Sequence, residues 1–198
     1  MTTVNTPVRE RLIEAATELF YAHGMRAVSA DRIIERVGTT KVTFYRHFRT
    51  KDDLVVAYLE GRAAAEREAV EGAIARAGGD VDAALRLISE GIGASACSPG
   101  FRGCAFINAA AEYPDPAGPV RRLNAAHRAW YTSTFERLLA PLALPDPSAA
   151  AADLMVLRDG AMVAGYLGDP TAAAGSFLRG GRAITGLRQQ SAQSVDSS

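Results

Sequence analysis

Between Thr39 and Phe48 the chain reads TTKVTFYRHF, which places a lysine, an arginine, a histidine, a tyrosine and two phenylalanines within ten residues. At helical spacing Phe44 and Phe48 share one face, the natural one to bury. Lys41 with Tyr45, and Val42 with Arg46, then form two i,i+4 pairs on the outward side. An exposed valine and tyrosine flanked by cations make a poor solvent face. They suit the major groove of duplex DNA, where cations meet guanine edges or phosphates, an apolar group meets a thymine methyl and hydroxyls meet phosphate oxygens. The surroundings agree in charge. From Gly24 to Lys51 there are seven bases (Arg26, Arg32, Arg36, Lys41, Arg46, Arg49, Lys51) against two acids (Asp31, Glu35), although the whole 198-residue chain has no formal net charge. A local basic patch on a neutral protein fits one polyanion-binding face rather than general stickiness.

Other chemistry is poorly supported. Cys104 and His127 could serve as nucleophile and base, but there is no glycine-rich elbow, no phosphate-cradling glycine loop and no paired catalytic carboxylates, so an enzyme is not expected. His23, His47 and His127 are scattered without metal-ligand spacing, so neither a metal nor another cofactor is expected. Cys97 and Cys104 read as packing thiols, with a thiol redox sensor as the alternative use. The opening residues carry no apolar core of a secretion signal. No apolar run nears the roughly 18 residues of a membrane span. A cytoplasmic protein without a membrane partner is therefore expected.

The elements that must position the TTKVTFYRHF helix follow from helical periodicity and caps. Pro7 precedes VRERLIEAATELFYAH, whose Leu12, Ala16, Leu19 and Phe20 line up at helical spacing, and Gly24 stops it where a left-handed residue is needed. Ser29 caps a second helix that turns Ile33, Ile34 and Val37 inward and stops at Gly38. Thr39 or Thr40 caps the third, and two short helices joined by so tight a glycine turn form a helix-turn-helix. Thr50 and Asp53 form an acidic capping box for a fourth helix running to about Ala77, with Lys51 in its first turn, where amides and a cation could grip a phosphate.

The run RLIEAATELFYAHGMRAVSADRIIERVGTTKVTFYRHFRTKDDL resembles the DNA-binding domain of TetR-family (tetracycline-repressor-like) transcriptional regulators. The resemblance rests on Ala-Ala-x-x-Leu-Phe in the first helix, on Gly24, Ile33, Gly38 and Thr43, and on Tyr45-x-His47-Phe48-x-x-Lys51. It covers about a quarter of the chain. Ile34 departs from the small residue common there and Thr39 from a frequent aliphatic, which leaves open which threonine caps the third helix. The resemblance implies base contacts from Lys41, Val42 and Tyr45, and phosphate contacts from Thr40, Thr43, Arg46, His47 and Lys51.

The remainder reads as alanine-rich helices: about Asp82–Ala96, Cys104–Tyr113, Pro119–Leu139, Ala149–Leu167 and Thr171–Leu187, with PLALPDP as a break. The expected fold is all-α with about nine helices. Its expected parts are a DNA-binding domain over 1–50, a helical regulatory and dimerisation domain over 51–188 and a disordered polar tail over 189–198. Leu154, Leu157, Ala161, Met162 and Gly165, with Phe177, Ile184 and Leu187, give the last two helices much apolar surface, and small residues would let backbones approach. The resemblance implies a homodimer through those helices, and a two-fold reader matches a palindromic operator. It also implies an inducer site among the middle helices. Phe106, Asn108, Glu112, His127, Trp130, Tyr131 and Tyr166 are the candidates there, Asn108 and Glu112 being a polar pair on one face of an apolar helix. The expected function is a repressor that leaves its operator when a small molecule binds.

Overall fold

The computed structural model describes residues 6–187. The polar tail expected over 189–198 lies outside the described residues. Among the described residues the chain is all-α, with nine α-helices and one short 3-10 turn. These are α1 (Val8–His23), α2 (Ala30–Val37), α3 (Lys41–His47), α4 (Lys51–Arg76), α5 (Val81–Ala96), α6 (Ala105–Glu112), α7 (Pro119–Leu139), α8 (Pro147–Leu167) and α9 (Pro170–Thr185).

Two compact units result among the described residues, one made of residues 6–66 and 104–127, the other of 67–103 and 128–187. The first unit holds α1 to α3, most of α4, α6 and the start of α7. Its core includes Leu12, Phe20, Met25, Ile33, Phe44, Leu54 and Tyr58, all essentially buried, with Phe20 and Tyr58 meeting edge to face at 5.8 Å. Burial of this kind contributes on the order of 1.5–3 kcal/mol per large side chain. Ile34 is buried as well, so the bulky side chain is accommodated within the α1–α2 packing. Arg11 of α1 donates to the Val37 carbonyl, satisfying an end group of α2 that the helix cannot satisfy itself.

The second unit is built on α8, which packs along α9, with α5 against both. Ser89 Oγ donates to the Ala174 carbonyl (2.8 Å), and Arg182 forks onto both oxygens of Asp82 (2.6 and 2.7 Å), joining α5 to α9. That bidentate pairing holds the Asp82 carboxyl below its ordinary range.

Two helix starts differ from the sequence reading for one reason. Pro147, read as part of a break, and Pro170, read as just outside the last helix, are each the first residue of a helix. Asp146 accepts from Ala149 N–H, and Asp169 from Thr171 and Ala172 N–H. Proline lacks an N–H at a position where none is needed, so an Asp-Pro pair is a start signal.

Most of the apolar face of α8 singled out in the sequence is internal, while Leu157, like Ile184 and Leu187 after it, is only half-buried. Leu154, Ala161, Met162 and Gly165 are buried within the second unit, as is Phe177 of α9. A Cβ on Gly165 would lie 2.9 Å from Ala96 Cβ, so only glycine lets α8 approach the end of α5. Neither carbon could rotate away. Gly165→Ala should therefore lower Tm by roughly 2–6 °C, because overpacking of about 1–3 kcal/mol outweighs a gain of about 0.5–1 kcal/mol from the helical alanine. Gly61→Ala, with nothing within 4 Å of its new Cβ, should raise Tm slightly; thermal unfolding of the pair checks both signs.

Candidate nucleic-acid interface

The reading helix α3 has only seven residues, too short to hold itself in water. Its position is set by its neighbours. Gly38 takes a left-handed conformation (φ 67°, ψ 43°) that turns the chain sharply between α2 and α3. Thr40, not Thr39, is the cap: its hydroxyl accepts from Thr43 N–H (3.2 Å) and donates to Thr43 Oγ1 (3.0 Å). Phe44 and Phe48 are buried, and the Arg9 guanidinium lies 5.3 Å from the centre of the Phe48 ring.

With those rings inside, the other face of α3 is left outside. Val42 is 80% exposed and Tyr45 52% exposed, and Lys41 and Arg46 are exposed beside them. Thr43 and His47 are partly buried at the margins. Lys41 Nζ sits 3.0 Å from Asp31 on α2, and that hydrogen bond raises its pKa. The pair is exposed, so an incoming phosphate or base can displace it readily.

Lys51 is used differently from the sequence expectation. Its ammonium donates to the carbonyls of Met25, Arg26 and Val28 at 3.0, 3.3 and 3.1 Å. Three donors meet three acceptors, so the cation expected on a phosphate is committed to the α1–α2 turn. At the same helix start the capping box is reciprocal: Asp53 N–H donates to Thr50 Oγ1 (3.1 Å) and Thr50 N–H to Asp53 Oδ2 (3.0 Å).

A family model described as bacterial regulatory proteins, tetR family, matches residues 12–58. A TetR-family transcriptional regulator from Streptomyces coelicolor superposes with a TM-score of 0.85 at 44% identity, over 90% of this chain and 88% of that one. The chain belongs to the TetR family. It is a transcriptional regulator with a helix-turn-helix DNA-binding domain, not an enzyme. A TetR-type regulator from Streptomyces avermitilis superposes with a TM-score of 0.73 at 25% identity, over 88% of this chain and 97% of that one. An uncharacterized HTH-type regulator, TtgW, of Pseudomonas putida is 37% identical over 54 residues, which is 27% of this chain and only 40% of that protein's length.

The residues expected at a TetR inducer site divide between the two units. Phe106, Asn108, Glu112 and His127 belong to the first, Trp130, Tyr131 and Tyr166 to the second. Glu112 has partners of its own. Its carboxylate accepts from the backbone N–H groups of Met25 (3.1 Å) and Arg26 (2.6 Å), which makes it a structural partner of the reading domain. Next to it Tyr113 donates to Asp52 (3.1 Å) beneath the Arg26 guanidinium. Burial, then the Asp52 charge, push the Tyr113 phenol up.

Phe106 and His127 do come together, with rings stacked at 3.8 Å, and His127 Nε2 lies 3.2 Å from Glu66 on α4. Asn124 Nδ2 donates to the Phe106 carbonyl (2.8 Å). Asn108 is half-buried on α6. In the second unit Trp130 meets Tyr131 edge to face, with Arg67 over Trp130 and the buried Arg158 over Tyr131, and Tyr166 is 47% exposed.

Sequence reasoning placed Tyr58 on the fourth helix but did not group it with Arg62 and Glu66, although their i, i+4, i+8 spacing puts all three on one face of α4. It also missed Asn124, three residues before His127. Cys97 is exposed and Cys104 buried, and among the described residues neither is in a disulfide. Among the described residues no group of three or more His, Cys, Asp or Glu could hold a metal, and no helix is long and apolar enough to cross a membrane.

The Lys51 geometry is testable without DNA. Lys51→Met keeps the apolar stem and leaves three carbonyls without their cation. It should lower stability by about 1–3 kcal/mol and speed amide exchange over residues 24–28, read by hydrogen exchange of the free protein. An unchanged Tm and exchange pattern would return Lys51 to the phosphate contacts.

Proposed function

We propose that this regulator is a dimeric, ligand-responsive repressor that reads a palindromic operator with α3. The observation that carries the reading is the exposed pair Val42 and Tyr45, set between Lys41 and Arg46 on a helix whose opposite face is buried. Lys41, Val42 and Tyr45 reach base edges, while Thr40, Thr43, Arg46 and His47 reach phosphates. Lys51 holds the α1–α2 turn, and a phosphate at that corner meets the first-turn amides of α4.

A reader this small addresses only a few base pairs, which favours two copies on half-sites about one helical turn apart. The surface suited to pairing them is the outer side of α8. Val156 (66% exposed), Gly160, Val163 (43%) and Leu167 (76%) recur there at helical spacing as an apolar stripe. The inner side of the same helix is already spent within the chain, so this outer stripe replaces the expected residues as the dimer surface. In the cell the regulator acts in the cytoplasm, where its operator is.

Response to a ligand has a physical route within the first unit. Glu112 and Tyr113, at the end of α6, hold the α1–α2 turn and the start of α4. A ligand that shifts α6 therefore shifts the elements that carry α3. To switch occupancy usefully it must favour one state by roughly 10- to 10⁴-fold, about 1.4–5.5 kcal/mol.

Selection from a pool of random duplexes at low salt tests the reading. The wild type should enrich a palindrome with half-sites about one turn apart, and Lys41→Ala should alter or lose it. Val156→Glu should sediment as a monomer and lose the paired half-sites. Failure of the wild type to enrich any sequence would sink the DNA-reading assignment; a Val156→Glu protein that remains dimeric would sink only the interface.

A further inference from the structure

The first unit contains a cluster of buried polar atoms that its own fold does not satisfy. Tyr58 is 1% exposed and Asn124 7% exposed, yet Tyr58 Oη and Asn124 Oδ1 have no hydrogen-bond partner among the described residues, and neither does the buried Nε of Arg62. Well over nine-tenths of buried backbone groups, and most buried side-chain polar atoms, find partners in native proteins. Three exceptions in one unit mark a place built for something polar.

They also share a location. Tyr58, Arg62 and Glu66 occupy one face of α4, and Arg62, Tyr21, Cys104 and Glu66 all lie near enough to the Tyr58 hydroxyl to influence it. Burial pushes that phenol up, so it stays protonated and able to donate. From α7, Asn124 anchors its Nδ2 on the Phe106 carbonyl, which leaves its oxygen as the free end. His127 stacks on Phe106 and bonds to Glu66, tying the α6, α7 and α4 contributions together. Aromatic rings surround the group: Phe20 against Tyr58, Tyr21 beneath Arg62, and Phe106 against His127.

The unused atoms define complementary chemistry. Arg62 Nε–H and Tyr58 O–H are donors and call for an acceptor such as a carbonyl oxygen. Asn124 Oδ1 is an acceptor and calls for an N–H or O–H. Arg62 and Glu66, four residues apart on the same helix, carry opposite formal charges that cancel, so a charged ligand would bring an uncompensated charge into a buried site. A neutral one would not.

We infer that Tyr58, Arg62 and Asn124 form the effector seat of this regulator, and that the effector is a small uncharged molecule carrying a carbonyl acceptor and an N–H or O–H donor. This rests on the ligand-responsive reading proposed above. It adds the residues of the site and the chemical class of its occupant. The seat adjoins Phe106, at the start of the α6 helix whose far end holds the reading domain, so occupancy acts on the same element that positions α3.

The experiment uses the full chain and named probes: benzamide and salicylamide as neutral carbonyl compounds, benzoate and salicylate as anions of like size, and toluene as an apolar control. Thermal unfolding is followed with each, for wild type, Tyr58→Phe and Asn124→Leu. Both substitutions keep size and remove only the unsatisfied atom, so without probe they should leave Tm unchanged or raise it. Neutral probes near a hundred-fold excess over Kd should raise the wild-type Tm by about 5–10 °C. Anions and toluene should do little, and either variant should lose at least ten-fold in probe affinity. Equal shifts in wild type and both variants would overturn the assignment, as would no shift with any neutral probe, the result expected if the cluster holds only ordered water. A larger response to the anions would overturn the uncharged class. Duplex binding by the same three proteins is measured in parallel: if it persists while no probe binds, the effector seat falls and the DNA reader stands, whereas its absence from all three returns the failure to the regulator reading.

Discussion

Five residues between α1 and α2, Gly24 to Val28, carry backbone groups that no helix can satisfy, and the placement of the reading helix depends on where those groups go. Irregular backbone inside a packed unit is tolerated only when its N–H and C=O groups find partners. Here opposite charges take opposite ends. The Glu112 carboxylate accepts the N–H groups of Met25 and Arg26, and the Lys51 ammonium takes the carbonyls of Met25, Arg26 and Val28. Gly24, with φ 92°, lets the chain leave α1 directly toward Glu112: a Cβ there would lie 3.3 Å from its Oε1. Met25 and Val28 can then bury their side chains, which are 2% and 0% exposed.

That constraint propagates to α3 by short steps. The turn sets where α2 begins, with Ser29 as its cap, and Arg11 closes the far end of α2 on Val37. Gly38 and Thr40 then aim seven residues held on the unit by the buried Phe44 and Phe48 rings, a cap and the exposed Lys41–Asp31 pair. A helix so short contributes almost no stability of its own. Its outward face can therefore be chosen for recognition, which is why Val42 and Tyr45 can stand exposed at little cost to the fold.

Local signals were legible in the sequence and distant ones were not. The capping box at Thr50 and Asp53, the Ser29 cap, the glycine ends at Gly24 and Gly38 and the inward Phe44 all rest on neighbours within four residues, and each stands in the structure as read. The proline start at 147 was also local but misjudged, because PLALPDP was weighed as a break without the aspartate before its last proline, and the start at 170 was set one residue late. The intramolecular partners of Lys51 and Glu112 were not legible for another reason. Their partners lie 23–26 and 86–87 residues away, and a charged residue in a sequence gives no sign of whether its charge will be spent inside the fold. On α8 the periodicity showed an apolar helix but not that two different sides of it would be apolar, one closed by α5 and α9 and one left outside.

The fate of each buried polar group separates architecture from response in the first unit. Lys51, Glu112 and the amide nitrogen of Asn124 have full intramolecular partners, and their job is to hold the turn and join α6 to α7. Tyr58 Oη, Arg62 Nε and Asn124 Oδ1 do not. Evolution for stability alone would have replaced them with apolar groups of the same shape, at no loss and with some gain. Helix α6 belongs to both sets, since Phe106 stacks within the unsatisfied cluster and Glu112 closes the turn under the reader. Eight helical residues span only about 12 Å, and a hydrogen-bonded helix of that length moves as a rigid piece. Whatever repositions Phe106 thus repositions the Glu112 carboxylate, and the α1–α2 turn must follow it or lose the partners of two amides.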